Sequence, residues 1–110
     1  MRVISQNGTM DFPYDNSLVF LHESCIKGNT CVEIQLCGDT EIDIVAEYST
    51  EEKAVKAMEM LREAYNNNEF YHCTATTNTF QKTMGLLSNE KIKEVTSEYF
   101  RFPQDDEIEV

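Results

Sequence analysis

The chain has 110 residues, a length that gives one domain burying roughly two-thirds of its unfolded surface. Its 20 acidic residues against 9 basic ones leave a formal net charge of −11, a field that repels nucleic acid and anionic membrane and excludes groove binding to DNA or RNA. Two readings of that charge remain: a solvated surface, or an acidic surface that imitates nucleic acid inside the basic groove of another protein.

Hydrophobic residues at 41% suffice for a core without disulfide or metal. The four cysteines, Cys25, Cys31, Cys37 and Cys73, form no CxxC, and His22 and His72 complete no zinc spacing. The opening MRVISQ lacks the apolar stretch of a signal peptide, and no apolar run approaches ~20 residues. The expected address is the cytoplasm, with reduced, core-packing thiols. No cofactor and no metal is expected.

In chain order, MRVIS is a short β-type run, and QNGT carries the Asn-Gly pair of a tight hairpin. TMDF is the returning strand, stopped by Pro13. SLVFLHES, residues 17–24, is β-rich and leads to a turn at Gly28-Asn29. TCVEIQLC alternates, with Cys31, Glu33, Gln35 and Cys37 on one face and Val32, Ile34 and Leu36 on the other. After Gly38-Asp39, EIDIVAEY sets Ile42, Ile44 and Ala46 against Asp43, Val45 and Glu47.

Ser49 and Glu52 have the spacing of a reciprocal capping box. Ala54, Met58, Leu61 and Tyr65 then recur at helical spacing, with Glu51, Lys53, Lys56, Glu59 and Glu63 outside. Asn66-Asn67-Asn68 is the expected stop. EFYHCTAT reads as a strand or extended loop, and Phe80, Met84, Leu87, Ile92 and Val95 as a second, interrupted helix. YFRF is a last strand, and PQDDEIEV holds an acidic tail. The expected architecture is α+β: a mainly antiparallel sheet of five to six strands, one long amphipathic helix packed on a face, and the second helix. Residues 1–104 form the domain and 105–110 the tail.

Nucleophilic catalysis needs a nucleophile, a base and an orienting group together. His72 and Cys73 are adjacent and His22 and Cys25 are three apart, so on a strand each pair splits to opposite faces. The chain is therefore read as a non-enzyme. Its scarce cations are more informative. Arg2, Arg62 and Arg101 are the only arginines, and the guanidinium fork suits phosphate. Tyr14 and Tyr71 flank turns where a ring can stack a base, and the Asn7-Gly8 turn offers backbone donors. These seven residues are the candidate site for a small phosphorylated ligand, set against the plainer reading of exposed arginines in surface ion pairs.

Three segments together, MRVISQNGTMDFPYDN, AEYSTEEKAVKAMEMLREAY and FRFPQDDEIEV, resemble a family of short proteins encoded by phages and prophages of Gram-positive bacteria. The shared pattern is an opening ISQ-[ND]-GT, a central YSTEEKA helix and a closing F-x-FP-x-DDEIE. The resemblance implies no catalytic residue. It implies an accessory protein of a mobile element in the host bacterial cell, acting on antiviral defence by binding. One expectation is a small homo-oligomer, a dimer or larger, that sequesters a nucleotide-type immune signal. The alternatives are an acidic nucleic-acid mimic that blocks a host defence protein, or a structural or regulatory phage protein without a pocket.

Overall fold

The structure is a computed structural model that describes residues 1–74 and 99–109, with side chains throughout except at 71–74. Its strands are β1 (Arg2–Ile4), β2 (Asp11–Pro13), β3 (Ser17–Glu23), β4 (Thr30–Leu36), β5 (Asp43–Tyr48) and β6 (Tyr99–Arg101), and its helix is α1 (Glu51–Thr74). The class is α+β, as expected.

The single sheet of five to six strands is not formed. The strands divide into two three-stranded sheets, ordered β2-β1-β6 and β3-β4-β5. Pro13 has no N–H to continue a ladder, and the 3-10 turn Tyr14–Asn16 redirects the chain before β3 starts. β1 pairs antiparallel with β2 across the Asn-Gly turn, but β6 joins β1 in parallel, bringing the two ends of the described chain side by side. Gly8 has φ 76°, the left-handed conformation that this hairpin requires.

In the second sheet the alternation of β4 holds at its centre, where Val32 and Ile34 are buried on the core face. It does not hold at its ends: Cys31, expected on the outer face, is also buried, and Leu36, expected on the core face, is 38% exposed. β5 departs from expectation. A register shift opposite Val32 and Glu33 pairs Val32 with Ala46 but Glu33 with Ile44. The extra residue lets both Val45 and Ala46 be buried while Ile44 is 57% exposed.

Helix α1 packs across β4 and β5. Ala54 and Ala57 are fully buried, so the backbones approach closely, and Leu61 fills the space beyond them. The cap differs by one residue from the expected box: the Lys53 N–H donates to Thr50 Oγ1 at 3.2 Å. Ser49 is occupied elsewhere, as described below. The helix also runs past the three asparagines to Thr74, so residues 69–74 are helical rather than extended. Asn68 is buried on the stripe of Ala54, Ala57, Leu61 and Ala64. Burial of that stripe outweighs the weak helix preference of asparagine, under about 0.7 kcal/mol per residue. The second helix expected over residues 80–95 lies outside the described residues.

The C-terminal segment was expected to stand off as a tail. Instead Asp105–Glu107 forms a 3-10 turn, and Ile108 joins the core. The main core comprises Val3, Phe12, Val32, Ile34, Val45, Ala46, Tyr48, Ala54, Ala57, Leu61, Phe102 and Ile108, so residues from both sheets, the helix and the C-terminal segment share one interior.

Candidate functional site

Parallel pairing of β1 with β6 decides where the arginines go. Arg2 lies opposite Tyr99 and Ile4 opposite Arg101, so all four side chains share one face. Val3 and Phe100 point to the other face, where Phe100 meets Phe102 edge-on at 5.3 Å between centroids. Strands about 4.8 Å apart and a rise of about 3.3 Å per residue place the Arg2 and Arg101 Cα atoms roughly 8 Å apart. Tyr99, 61% exposed, lies opposite Arg2 and two residues before Arg101 on this face, with Ile4 at the remaining corner. This outer face thus carries two of the three arginines of a strongly acidic chain beside an aromatic ring.

Both guanidinium groups are already oriented. Arg2 Nε donates to Asp11 Oδ1 at 2.8 Å, an ion pair with each side chain 55% exposed. Arg101 Nη2 donates to the Gln6 carbonyl at 3.3 Å and lies over the first turn. A Cβ on Gly8 would come within 3.4 Å of that nitrogen, so glycine permits the approach as well as the turn. Arg101, Asn7 and Gly8 therefore meet at the turn end of the first sheet, while Arg2 lies two residues back along β1 on the same face, its side chain held by Asp11.

The turn itself does not present the donors expected of it. The Gly8 N–H donates to the Ser5 carbonyl, and the Asn7 side-chain oxygen accepts from Ser5 Oγ, Thr9 N–H and Thr9 Oγ1. Asn7 and Gly8 shape the floor under Arg101.

Tyr14 and Arg62 are elsewhere. They line a cleft of about 260 Å³ between β3 and α1 with Ser17, Leu18, Val19, Met58 and Leu61. The Tyr14 and Tyr65 rings pack with centroids 4.7 Å apart. Glu69, followed by burial and then Asp15, pushes the Tyr65 hydroxyl above its ordinary range, so this cleft is flanked by carboxylates. That is a poorer phosphate site than the Arg2–Arg101 face. Tyr71 falls within α1, and its side chain lies outside the described residues.

Gln6 was not singled out from the sequence, yet it organises the site. Its N–H donates to the Val45 carbonyl at 2.7 Å. Its side-chain oxygen accepts the Glu47 N–H at 3.0 Å, and Nε2 donates to the carbonyls of Glu47 and Pro103, both at 3.1 Å. Its own carbonyl accepts from Arg101 and from Gln104 Nε2. Tyr99 was also missed, although the period of two in YFRF places it beside Arg101.

A second network anchors the helix. Asp105 accepts from the Ser49 N–H and hydroxyl and from Lys53 Nζ. The Ser49 N–H first, then Lys53 and the Ser49 hydroxyl, hold its carboxyl below the usual range against the opposing effect of burial. The Tyr48 hydroxyl donates to the Pro103 carbonyl at 2.8 Å, and burial raises its pKa.

The thiols show no activated arrangement among the described residues. Cys25 and Cys37 are exposed and Cys31 is buried. His22 lies opposite Cys31, not near Cys25 in register. Burial and the neighbouring Glu33 push the Cys31 thiol up to about 11, the reverse of what a nucleophile needs. Among the described residues no group of three or more His, Cys, Asp or Glu could hold a metal ion, and no helix is long and apolar enough to cross a membrane. Comparison with family models, curated proteins and solved structures gave no match to this chain.

Proposed function

We propose that the protein is a non-catalytic binding protein whose ligand is a small phosphorylated, base-bearing molecule of the nucleotide class, captured on the Arg2–Tyr99–Arg101 face. The observation that supports this reading is the placement of two arginines about an exposed tyrosine on one face of a chain carrying −11. A guanidinium fork can take phosphate in two parallel hydrogen bonds, and a tyrosine ring can stack a base. Asp11 and the Gln6 carbonyl hold the forks in place without enclosing them, so ligand phosphate competes with one exposed carboxylate and one carbonyl. Taken with the resemblance to short phage proteins, the reading is a phage accessory protein in the host cytoplasm that removes a nucleotide-type immune signal.

The test is uptake followed by denaturation. The purified protein is incubated with a panel of linear and cyclic nucleotides, separated from free ligand and unfolded. Chemically intact ligand should be recovered from at least one member. Altered ligand would make the protein an enzyme, and no uptake across the panel would remove the reading.

A second reading is favoured by one observation: the exposed side of α1 carries Glu51, Glu52, Glu59 and Glu63 against Lys56 and Arg62. That row suits a basic groove on another protein, as an acidic mimic would. Binding of that kind should weaken steeply with salt.

A further inference from the structure

We propose that β3 is the interface of a homodimer, pairing antiparallel with β3 of a second copy about a two-fold axis at Phe20. The other sheet edges described here are closed or short. The outer edge of β5 is covered by Gln6, whose main chain and side chain bond to Val45 and Glu47. β2 ends at Pro13 after three residues, and β6 has three. β3 has seven, and Ser17 to Leu21 include no charge, proline or bulge, the usual devices that blunt an edge.

The phase of its hydrogen bonds makes this edge self-complementary. The Cys37 N–H donates to the Asn16 carbonyl, and the Ser24 N–H to the Asn29 carbonyl. With the intervening register, Leu18, Phe20 and His22 bond inward to β4. Val19 and Leu21 therefore turn their N–H and C=O outward, and no described residue takes them. Rotation about Phe20 sets Val19 of each copy against Leu21 of the other, which satisfies all eight groups. Ser17 then faces the partner's Glu23, so the two Glu23 carboxylates stay at opposite ends of the interface.

That charge pattern selects a second copy as occupant. Two chains of −11 repel over most of their surface, and this uncharged strand lets them meet with their carboxylates apart. The core continues across the axis as well: Val19 and Leu21, partly buried and packed against the core, gain each other's mates as neighbours. On the outer face Leu18, 58% exposed, comes beside the partner's His22.

The proposal stands apart from the ligand reading and is tested without nucleotide. Light scattering from the unaltered chain at tens of micromolar should give twice the 12.7 kDa chain mass. Phe20→Lys can pair with Glu33 across β4 but faces its own copy at the axis, so this variant should be monomeric and folded. In a chain with Cys25, Cys37 and Cys73 replaced by Ser, Phe20→Cys should oxidise to a linked dimer. The two Phe20 Cα atoms would be about 4.5 Å apart, within disulfide reach. Ser17→Cys should not link, since its two copies would lie roughly 20 Å apart. A monomeric unaltered chain, a dimeric Phe20→Lys variant, or equal linking at both positions would overturn the interface.

Discussion

Gln6 and Glu47 exchange two hydrogen bonds, yet only one of the two uses its backbone. The Gln6 carboxamide accepts the Glu47 N–H at 3.0 Å and donates to the Glu47 carbonyl at 3.1 Å, occupying the place of a peptide on the next strand. One side chain thus closes the edge of β5 and joins the two sheets. Because Nε2 also reaches Pro103, the first turn, β5 and the C-terminal segment meet at one residue.

Removing that amide should leave the Glu47 N–H and C=O without their partner. Gln6→Ala is expected to cost about 2–4 kcal/mol, as two or three partly buried hydrogen bonds are lost. Gln6→Glu should be worse at neutral pH, since a carboxylate would face two carbonyls with no proton to donate. Urea titration at pH 7 measures both, and losses under about half a kcal/mol would mean the sheets are held together by packing alone.

Leu61 is the largest buried aliphatic side chain of α1, 1% exposed between Ala57 and the sheet. Leu61→Ala should cost about 2–5 kcal/mol through lost transfer energy and the cavity left behind. Thermal or urea unfolding reads the change directly.

The helix stripe, the three antiparallel pairings and the alternation at the centre of β4 were legible because each depends on local period or on a short turn. What was not legible depends on residues far apart in sequence. Parallel pairing of β1 with β6 joins residues nearly a hundred positions apart, and no local pattern in RVI or YFR announces it. The bulge hid in EIDIVAEY because both faces offered apolar residues, so either phase looked acceptable. Asn66 to Asn68 read as a stop because intrinsic preference was visible and the burial of Asn68 was not. Arg2 and Arg101 were chosen for their chemistry, and only the fold brings them together and takes Arg62 away. The segments carrying the resemblance include Gln6, Ser49, Lys53, Pro103, Gln104 and Asp105, which hold one another in place; much of that pattern serves architecture.

Asp105 links stability to pH. Its folded pKa is lowered from an unfolded value of about 3.9. The stabilisation is therefore fully present above about 3.9 and is lost as pH falls through the lower folded value. Asp105→Asn should weaken the protein at pH 7 by about 1–2 kcal/mol, less than a buried pair because this carboxylate is 40% exposed. It should also flatten the loss of stability as pH falls below about 4. A variant whose acid limb matches the unaltered chain would mean that other carboxylates govern acid unfolding.

The thiols should separate by reactivity. Cys31 is 1% exposed with its pKa pushed up to about 11, while Cys25 and Cys37 are exposed. Brief alkylation at pH 8 followed by peptide mass spectrometry should modify Cys25 and Cys37 and spare Cys31 until denaturant is added. Early modification of Cys31 would mean that β4 opens readily.

The ligand face is tested most directly by charge removal within one uptake assay. Arg2→Gln and Arg101→Gln, separately and together, are compared with Arg62→Gln on whichever nucleotide the unaltered protein retains. Losing one phosphate-binding guanidinium should lower affinity by roughly ten- to a hundredfold, about 1.5–3 kcal/mol. The double variant should abolish uptake, with melting temperature little changed because both arginines are exposed. Arg62→Gln should bind as the unaltered chain does. Normal uptake by the Arg2/Arg101 double variant, or loss of uptake in Arg62→Gln alone, would contradict the assignment of the ligand to this face.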